Sequence, residues 1–178
     1  EEGKFVVQDL GSAMVVEMAG IRNGDKVIDV CAAPGGKATH AAVKAGAAGS
    51  VVARDLTEYK VSLIEENIER LGLLNIEAQV FDATCPDETM SGKADVVIAD
   101  LPCSGLGVIG RKSDIKYRVS TESLEEVCAL QRKILSVVQA YVKPDGILVY
   151  STCTVNRGEN EDNKEWFLSN YPFEEEKE

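Results

Sequence analysis

The sequence has very little histidine and no closely spaced cysteine pair. His40 is the only histidine among 178 residues, and the five cysteines are scattered without a Cys-x-x-Cys motif. A histidine-ligated metal site, or a Cys-His or Ser-His-Asp mechanism, would have to depend on that one imidazole. An odd number of dispersed cysteines also argues against a secreted disulfide framework and against a zinc ribbon. We therefore expect reduced thiols, no bound metal and a cytoplasmic location.

Long apolar runs and a basic charge balance are also missing. No stretch approaches the roughly 18 apolar residues that span a bilayer, so we expect no membrane association. The net charge of -11 disfavours a general nucleic-acid binder. One local basic cluster is nevertheless a candidate for RNA contact, and it consists of Arg111, Lys112, Lys116 and Arg118. The alternative for this cluster is a solvated loop with ordinary surface charge.

The chain does contain a regular alternation of apolar runs and helical patterns, and its length fits one domain. This alternation predicts an α/β fold with a doubly wound, mostly parallel sheet and helices on both faces. The predicted strands are 26–30, 50–54, 76–81, 94–99 and 147–151. The predicted helices are 38–45, a helix capped by Thr57, 123–141 with a capping box of Ser123 and Glu126, and 160–170. The segment 143–146 is expected to end the third of these helices.

Polar residues follow the predicted strands. Four strands are followed directly by Cys31, Asp55, Asp82 or Asp100, and the fifth reaches Cys153 two residues later. Ligands of open parallel sheets gather outside the carboxyl ends of the strands. These residues are therefore the first candidates for a site.

The loop after the first strand, DVCAAPGGKAT (29–39), indicates a ligand site. Its glycines allow a ligand to approach the backbone, and the following helix offers free amides. The spacing of Gly35, Gly36 and Lys37 matches neither the dinucleotide fingerprint nor the P-loop. Asp55 lies about 19 residues beyond Gly36, near the offset of ~20 at which an acid reaches a ribose. A ribose-bearing cofactor without pyrophosphate fits, and S-adenosylmethionine is the usual one. The alternative is a tight turn with Asp55 as a helix cap.

Cys103 and Cys153 follow the fourth and fifth predicted strands, in DLPCSG (100–105) and STCTV (151–155). If these strands pair, their ends lie roughly 5 Å apart and both thiols can face one cleft. Each cysteine could instead be a small buried hydrophobic residue. The polar neighbours Asp100 and Thr152 favour a chemical role.

Two neighbouring thiols and an acid suit methylation at carbon 5 of a pyrimidine. That carbon becomes nucleophilic once a thiolate has added to carbon 6, and the reaction also needs an acid near N3 and help in expelling the thiol. Cys153, Asp100 and Cys103 could fill these roles. Thiolate formation would then depend on nearby cations, for which Lys37 and Arg157 are candidates.

Four segments occur in an order that resembles the Sun (Nol/Nop/Sun) family of RNA cytosine-5 methyltransferases. They are QDLGSA (8–13), DVCAAPGGK (29–37), DLPCSG (100–105) and STCTVNRGENE (151–161). The stretch GVIGRKSDIKYR (107–118) is most similar to the bacterial branch, 16S rRNA methyltransferase B. The resemblance implies a class I, Rossmann-like methyltransferase that uses S-adenosylmethionine on small-subunit ribosomal RNA. We expect it to be a monomer.

The resemblance also implies residue roles. Cys153 would be the nucleophile, Cys103 would help to release the product, and Asp100 would contact both base and cofactor. The implied cofactor-binding residues are Cys31, Ala32, Ala33, Pro34, Gly35, Gly36, Lys37, Asp55, Asp82 and Asp100.

The chain departs from the family pattern at both ends. Members of the bacterial branch carry an N-terminal, NusB-like RNA-binding domain, and their sheet usually gains strands after the last helix. Because nothing in 1–178 corresponds to these parts, we expect a catalytic domain from a longer protein. Two other functions stay open: an exocyclic amino-methyltransferase, because DLPC loosely resembles the loop of those enzymes, and a non-catalytic RNA-binding or assembly module.

Overall fold

Five parallel strands form one sheet in the computed structural model, which describes residues 3, 5–110, 115, 117 and 119–176. The strands are β1 (Lys26–Asp29), β2 (Ser50–Asp55), β3 (Ile76–Val80), β4 (Ala94–Asp100) and β5 (Val142–Ser151). Their order across the sheet is β3-β2-β1-β4-β5, and every neighbouring pair is parallel. The predicted parallel sheet is confirmed.

In the described part of the chain, five α-helices pack on the sheet: α1 (Leu10–Met18), α2 (Gly36–Ala45), α3 (Glu58–Leu71), α4 (Thr121–Val138) and α5 (Glu161–Asn170). Thr57 caps α3 by accepting a hydrogen bond from the Lys60 amide, as its position predicts. Sequence patterns did not indicate α1. Among the described residues, no helix combines the length and apolar character that crossing a membrane requires.

Successive residues of the central strands face two separate cores, because side chains alternate across a strand. Val27 and Val96 pack with residues of α1, α2 and α3, including Val16, Ala41 and Ile64. Ile28 and Val97 pack on the other face, with residues of α4 and α5 such as Leu135 and Phe167. Burial on both faces explains why β4 is a continuous apolar run, and it confirms the doubly wound architecture.

The connection from α4 to β5 differs from its prediction in two ways. The capping box is made by Ser120 and Ser123, so α4 begins at Thr121 and the pairing of Ser123 with Glu126 is wrong. The segment 143–146 does not end the helix but lies inside β5. Pairing with β4 extends the strand back to Val142, and the register shifts between Ala94 and Val96 to absorb the extra residues.

Candidate active site

A cleft of about 330 Å³ lies at the carboxyl ends of the strands. All five strand ends contribute to its wall, through Cys31, Asp55, Asp82, Asp100, Cys103 and Cys153. The parallel pairing places these ends on one edge of the sheet, so residues far apart in sequence meet there. The predicted gathering of acids and cysteines is confirmed.

Asp55 ties the loop after β1 to the end of β2. Its Oδ2 accepts a hydrogen bond from the Ala33 amide at 3.0 Å, and its Oδ1 accepts one from the Leu56 amide at 2.8 Å. The Lys60 ammonium lies 2.9 Å from Oδ1. Because Thr57 caps α3, the alternative interpretation of Asp55 as the helix cap is wrong.

The turn into α2 requires glycine at position 35. Gly35 has a φ of 104°, a region that favours residues without a Cβ. A Cβ built on Gly35 would lie 3.3 Å from Ile64 in α3. The loop can therefore pass close to α3 and present the first turn of α2, where backbone amides are free to bind a ligand.

A second cavity of about 190 Å³ lies between this loop and the N-terminal segment, lined by residues that include Gln8, Asp29, Lys37 and Asp100. Asp29 is 1% exposed, and neither of its carboxylate oxygens forms a hydrogen bond of good geometry within the described residues. Burial raises the pKa of Asp29 to about 7, and the nearby Lys37 charge offsets this only in part. A buried carboxylate beside a cavity suits a ligand that carries a positive charge or donates hydrogen bonds.

The charged and hydroxyl-bearing groups of S-adenosylmethionine fit this donor set. Asp29 provides a buried acid, Asp55 and Asp82 provide carboxylates on the wall of the cleft, and α2 provides backbone amides. Asp82 also makes its own turn, because its Oδ1 accepts the Thr84 amide at 2.8 Å. This hydrogen bond lowers the pKa of Asp82, so its carboxylate is ionised at neutral pH. Among the described residues, no cluster of three or more potential metal ligands occurs.

Asp100 stands between the two cavities. Its Oδ2 lies 2.6 Å from the Lys37 ammonium, and its Oδ1 accepts a hydrogen bond from the Ser151 hydroxyl at 2.8 Å. Asp100 and Ser151 are also paired in register between β4 and β5. The residue therefore joins the loop after β1 to the ends of the two cysteine-bearing strands.

The thiols of Cys103 and Cys153 are in direct contact. Their sulfur atoms lie 2.7 Å apart, both cysteines are free, and the Cys153 amide donates a hydrogen bond to the Cys103 sulfur at 3.2 Å. Cys153 is exposed to the cleft, whereas Cys103 is half-buried. Burial, together with the hydrogen bond to Cys153, raises the pKa of Cys103 to about 12. Cys103 therefore keeps its proton at neutral pH, and Cys153 is the accessible thiol of the pair.

The other cysteine in the cleft is less suited to attack a substrate. Cys31 is only partly exposed, and burial raises its pKa to about 12. A thiol with such a pKa forms very little thiolate at neutral pH. Of the thiols that line the cleft, Cys153 is therefore the exposed one.

Carboxylates bind both cations that were candidates for favouring the Cys153 thiolate. Lys37 pairs with Asp100, and Arg157 donates to Asp162 at 2.9 Å with a side chain that is 73% exposed. The hypothesis that either cation favours the Cys153 thiolate stays a prediction. The basic cluster of Arg111, Lys112, Lys116 and Arg118 lies outside the described residues.

Sequence reasoning missed two buried acids at this edge of the sheet. Asp29 is the first residue of DVCAAPGGK, and Glu159 lies in the tail of STCTVNRGENE, where it is fully buried. Their positions inside recognised motifs were the available signal. Burial itself depends on tertiary packing, and acids are almost never fully buried unless they are paired.

The sheet order, the glycine turn after β1 and the acids at the strand ends define a Rossmann-like fold of the S-adenosylmethionine-dependent methyltransferase class. The crystal structure of NSun6 from Pyrococcus horikoshii with SFG superposes on 95% of this chain with a TM-score of 0.84 and 32% identity. The chain belongs to the 16S rRNA methyltransferase RsmB/F family, whose model matches residues 16–177. The resemblance drawn from the four sequence segments is confirmed.

Curated relatives include both branches of that family. The probable ribosomal RNA small subunit methyltransferase B of Bacillus subtilis (strain 168) is 39% identical over 97% of this chain and 39% of its own length. The ribosomal RNA small subunit methyltransferase F of Klebsiella pneumoniae (strain 342) is 36% identical over 96% of this chain and 36% of its own length. The alignment with NSun6 covers 43% of that protein. The chain therefore spans less than half the length of each of these proteins.

Proposed function

We propose that the chain binds S-adenosylmethionine and methylates carbon 5 of a cytosine in small-subunit ribosomal RNA through a cysteine adduct at carbon 6. The observation that carries this proposal is the contact between Cys103 and Cys153 in a cleft shared with Asp100 and the loop after β1. The family and the names of the curated relatives support ribosomal RNA as the substrate. The analogue of S-adenosylmethionine, SFG, in the NSun6 structure supports the cofactor.

The cofactor would be held by residues 31–37 together with Asp55, Asp82 and Asp100. When bound, it supplies an electrophilic methyl group. Asp55 holds the loop through the Ala33 amide, and the first turn of α2 would offer backbone amides to the ligand. Asp29, a buried acid that lines the second cavity, would bind a positively charged or hydrogen-bond-donating part of the ligand.

Cys153 would act as the nucleophile because its thiol is the exposed member of the pair. Its thiolate forms a bond to carbon 6 of the base, and the electron pair of the ring double bond becomes available at carbon 5. Asp100, which lines the same cleft, would contact the edge of the base that includes N3. A hydrogen bond there stabilises the negative charge that develops on the ring.

Product release requires the bond between Cys153 and carbon 6 to break. Once carbon 5 carries the methyl group, its proton passes to a base, the ring double bond re-forms, and Cys153 leaves as a thiolate. The Cys103 thiol keeps its proton at neutral pH and lies 2.7 Å from the departing sulfur. It can therefore donate a hydrogen bond to the leaving thiolate, which favours its expulsion.

We expect Cys153→Ala to abolish methyl transfer, and Cys103→Ala to accumulate a denaturant-resistant adduct between protein and RNA. The assay uses unmodified small-subunit ribosomal RNA and methyl-labelled S-adenosylmethionine, with the modified position read at nucleotide resolution. Cys85→Ala is the matched control, because Cys85 is an exposed cysteine that does not line the cleft.

Full activity in Cys153→Ala would contradict the covalent mechanism. A methyl group found on the exocyclic nitrogen would identify an amino-methyltransferase instead. If calorimetry shows cofactor binding without methyl transfer, the same assay on a chain extended to the length of the relatives separates a chain too short to act on RNA from a module without catalytic activity. Absence of transfer in the longer chain as well would indicate a non-catalytic module.

A further inference from the structure

A fully buried carboxylate lies behind the cysteine pair. Glu159 is 0% exposed and belongs to the short 3-10 turn Arg157–Glu159 that precedes α5. It does not line the cleft, and the mechanism proposed above does not use it. A buried acid of this kind needs partners that offset its loss of hydration.

The partners of Glu159 belong to the loop that carries Cys103. Its Oε2 accepts hydrogen bonds from the Ser104 amide at 2.9 Å and from Gln131 Nε2 at 3.1 Å. Its Oε1 accepts the Ser104 hydroxyl at 2.5 Å. Gln131, fully buried in α4, also donates to the Pro102 carbonyl at 2.8 Å. The peptide groups before and after Cys103 are therefore both bound to this network.

The same network reaches the loop that carries Cys153. The Ser104 hydroxyl lies 2.8 Å from the Thr154 hydroxyl, directly after Cys153. The Gly107 amide adds a hydrogen bond of 3.1 Å to the Cys153 carbonyl. The two loops are thus joined beside the sulfur contact by groups other than the sulfurs themselves.

Rigid elements hold the network in place. The Tyr150 hydroxyl, from β5, donates to the Glu159 carbonyl, and Asn163 of α5 donates to Gln131 Oε1 at 2.8 Å. Arg132 of α4 donates in turn to Asn163 Oδ1 at 2.7 Å. Glu159 therefore connects a framework of β5, α4 and α5 to the two loops that carry the thiols.

We propose that Glu159 is a positioning residue that fixes the Cys103 loop against the Cys153 loop and so keeps the two sulfurs in contact. The expected effect on methyl transfer rests on the proposed function, whereas the effect on the distance between the thiols does not. Without the carboxylate, the Ser104 amide and Gln131 Nε2 lose a buried acceptor and the loop is free to shift.

The hydrogen-bond pattern also predicts which substitution is tolerated. In Glu159→Gln, the amide oxygen can accept from the Ser104 amide and Gln131. The amide nitrogen can donate to the Ser104 hydroxyl, whose own proton then turns toward Thr154. Glutamine thus preserves every contact of the carboxylate, and alanine preserves none.

The test measures how fast the two thiols can be joined. Diamide accepts two hydrogens from a pair of adjacent thiols, so that the sulfurs form a disulfide and the diamide becomes the hydrazine. The yield of the bond between Cys103 and Cys153 is followed over time by peptide mapping. We expect Glu159→Ala to form it at least about tenfold more slowly than the unaltered chain, and Glu159→Gln to stay within about threefold.

Methyl transfer provides the second readout. We expect Glu159→Ala to lower kcat about tenfold or more while the KM for S-adenosylmethionine changes by less than about twofold, because the cofactor loop is untouched. The matched control is Asn75→Ala, which removes hydrogen bonds to the carbonyls of Ala42 in α2 and of Gly46 just after it, near the amino ends of the strands. It should lower stability without changing the rate of disulfide formation.

A folded Glu159→Ala that forms the disulfide at the unaltered rate would overturn the proposal. If circular dichroism shows that this variant is unfolded, Ser104→Ala decides, because it removes the hydroxyl that links Glu159 to Thr154. An unaltered rate of disulfide formation in Ser104→Ala would also contradict the proposal. Slow disulfide formation in the variants of a chain that does not methylate cytosine would refute the proposed function and leave the role of Glu159 intact.

Discussion

The titration of Asp29 makes the free energy of unfolding depend on pH. Burial raises the pKa of its side chain to about 7, whereas an unperturbed aspartate has a pKa of about 3.9. Between these values the folded chain holds a proton that the unfolded chain has released. The contribution of Asp29 to the free energy of unfolding therefore falls as pH rises through this window, and this contribution no longer changes above about pH 7.

We expect Asp29→Asn to stabilise the chain without ligand, by up to about 4 kcal/mol at pH 8.5. The gain should be small near pH 4 and grow until about pH 7, because asparagine never carries the buried charge. Urea unfolding at several pH values measures it. Asp145→Asn, at an exposed acid, is the control and should leave the pH dependence unchanged. A gain that does not vary with pH would show that Asp29 does not titrate in this window.

Individual residues of the site could be predicted when a motif or a strand end marked them. Cys103 and Cys153 were placed together by the expected pairing of β4 with β5, and their sulfurs are in contact. The ion pairs of Lys37 and Arg157 were not predictable, because their carboxylate partners are chosen by the packing of side chains across elements. The burial of Glu159 likewise arises only when α4, α5 and the cysteine loops meet.

The turn that begins α2 provides a test at the level of an element. We expect Gly35→Ala to lower the free energy of unfolding by about 1–3 kcal/mol, because alanine is strained at a φ of 104° and its Cβ would press on Ile64. Thermal or urea unfolding measures the loss.

The neighbouring glycine serves as the comparison. Gly36 begins α2, its φ is not positive, and a Cβ there would lie 4.0 Å from its nearest neighbour, Gln8 Nε2. Gly36→Ala should therefore be neutral or slightly stabilising, since alanine favours a helix. Equal losses for the two variants would indicate that the turn does not depend on the conformation at position 35.

The type and order of the elements could largely be predicted, but the ends of some could not. Apolar runs predicted the strands and apolar periodicity predicted α3, because burial on one or two faces leaves a pattern in the sequence. The position of Thr57 before that periodicity predicted the cap. The boundary between α4 and β5 was placed wrongly, since Pro144 and Gly146 usually mark a turn. Pairing with β4 overrides that local preference and extends β5 to Val142. The helix α1 had no clear pattern, because Val16 is buried whereas its apolar residues Leu10, Met14 and Met18 are exposed.

On the scale of the whole molecule, charge is expected to control binding to RNA. The chain carries a net charge of -11, so affinity for a polyanion must come from local basic residues. We expect the double substitution Arg111→Glu with Lys116→Glu to weaken RNA binding. It should also make the fall of log affinity with log salt concentration shallower, by about 0.7–0.9 in the magnitude of the slope for each lost phosphate contact.

The matched control changes the net charge equally at another place. Lys26→Glu with Lys93→Glu alters two exposed lysines near the amino ends of the strands, away from the cleft. Filter binding of the ribosomal RNA at several salt concentrations compares the two double variants. Identical affinities and slopes would return the basic cluster to an ordinary solvated loop.

The strand order β3-β2-β1-β4-β5 places the two proposed functions of the site, cofactor binding and attack on the base, on different halves of the sheet. The loops after β1, β2 and β3 supply the proposed cofactor contacts, and those after β4 and β5 supply the two thiols. Asp100 bridges the halves, through Lys37 on one side and Ser151 on the other. Substitutions after β4 and β5 are therefore expected to alter the proposed chemistry more than the binding of the methyl donor, provided that Asp100 keeps both contacts.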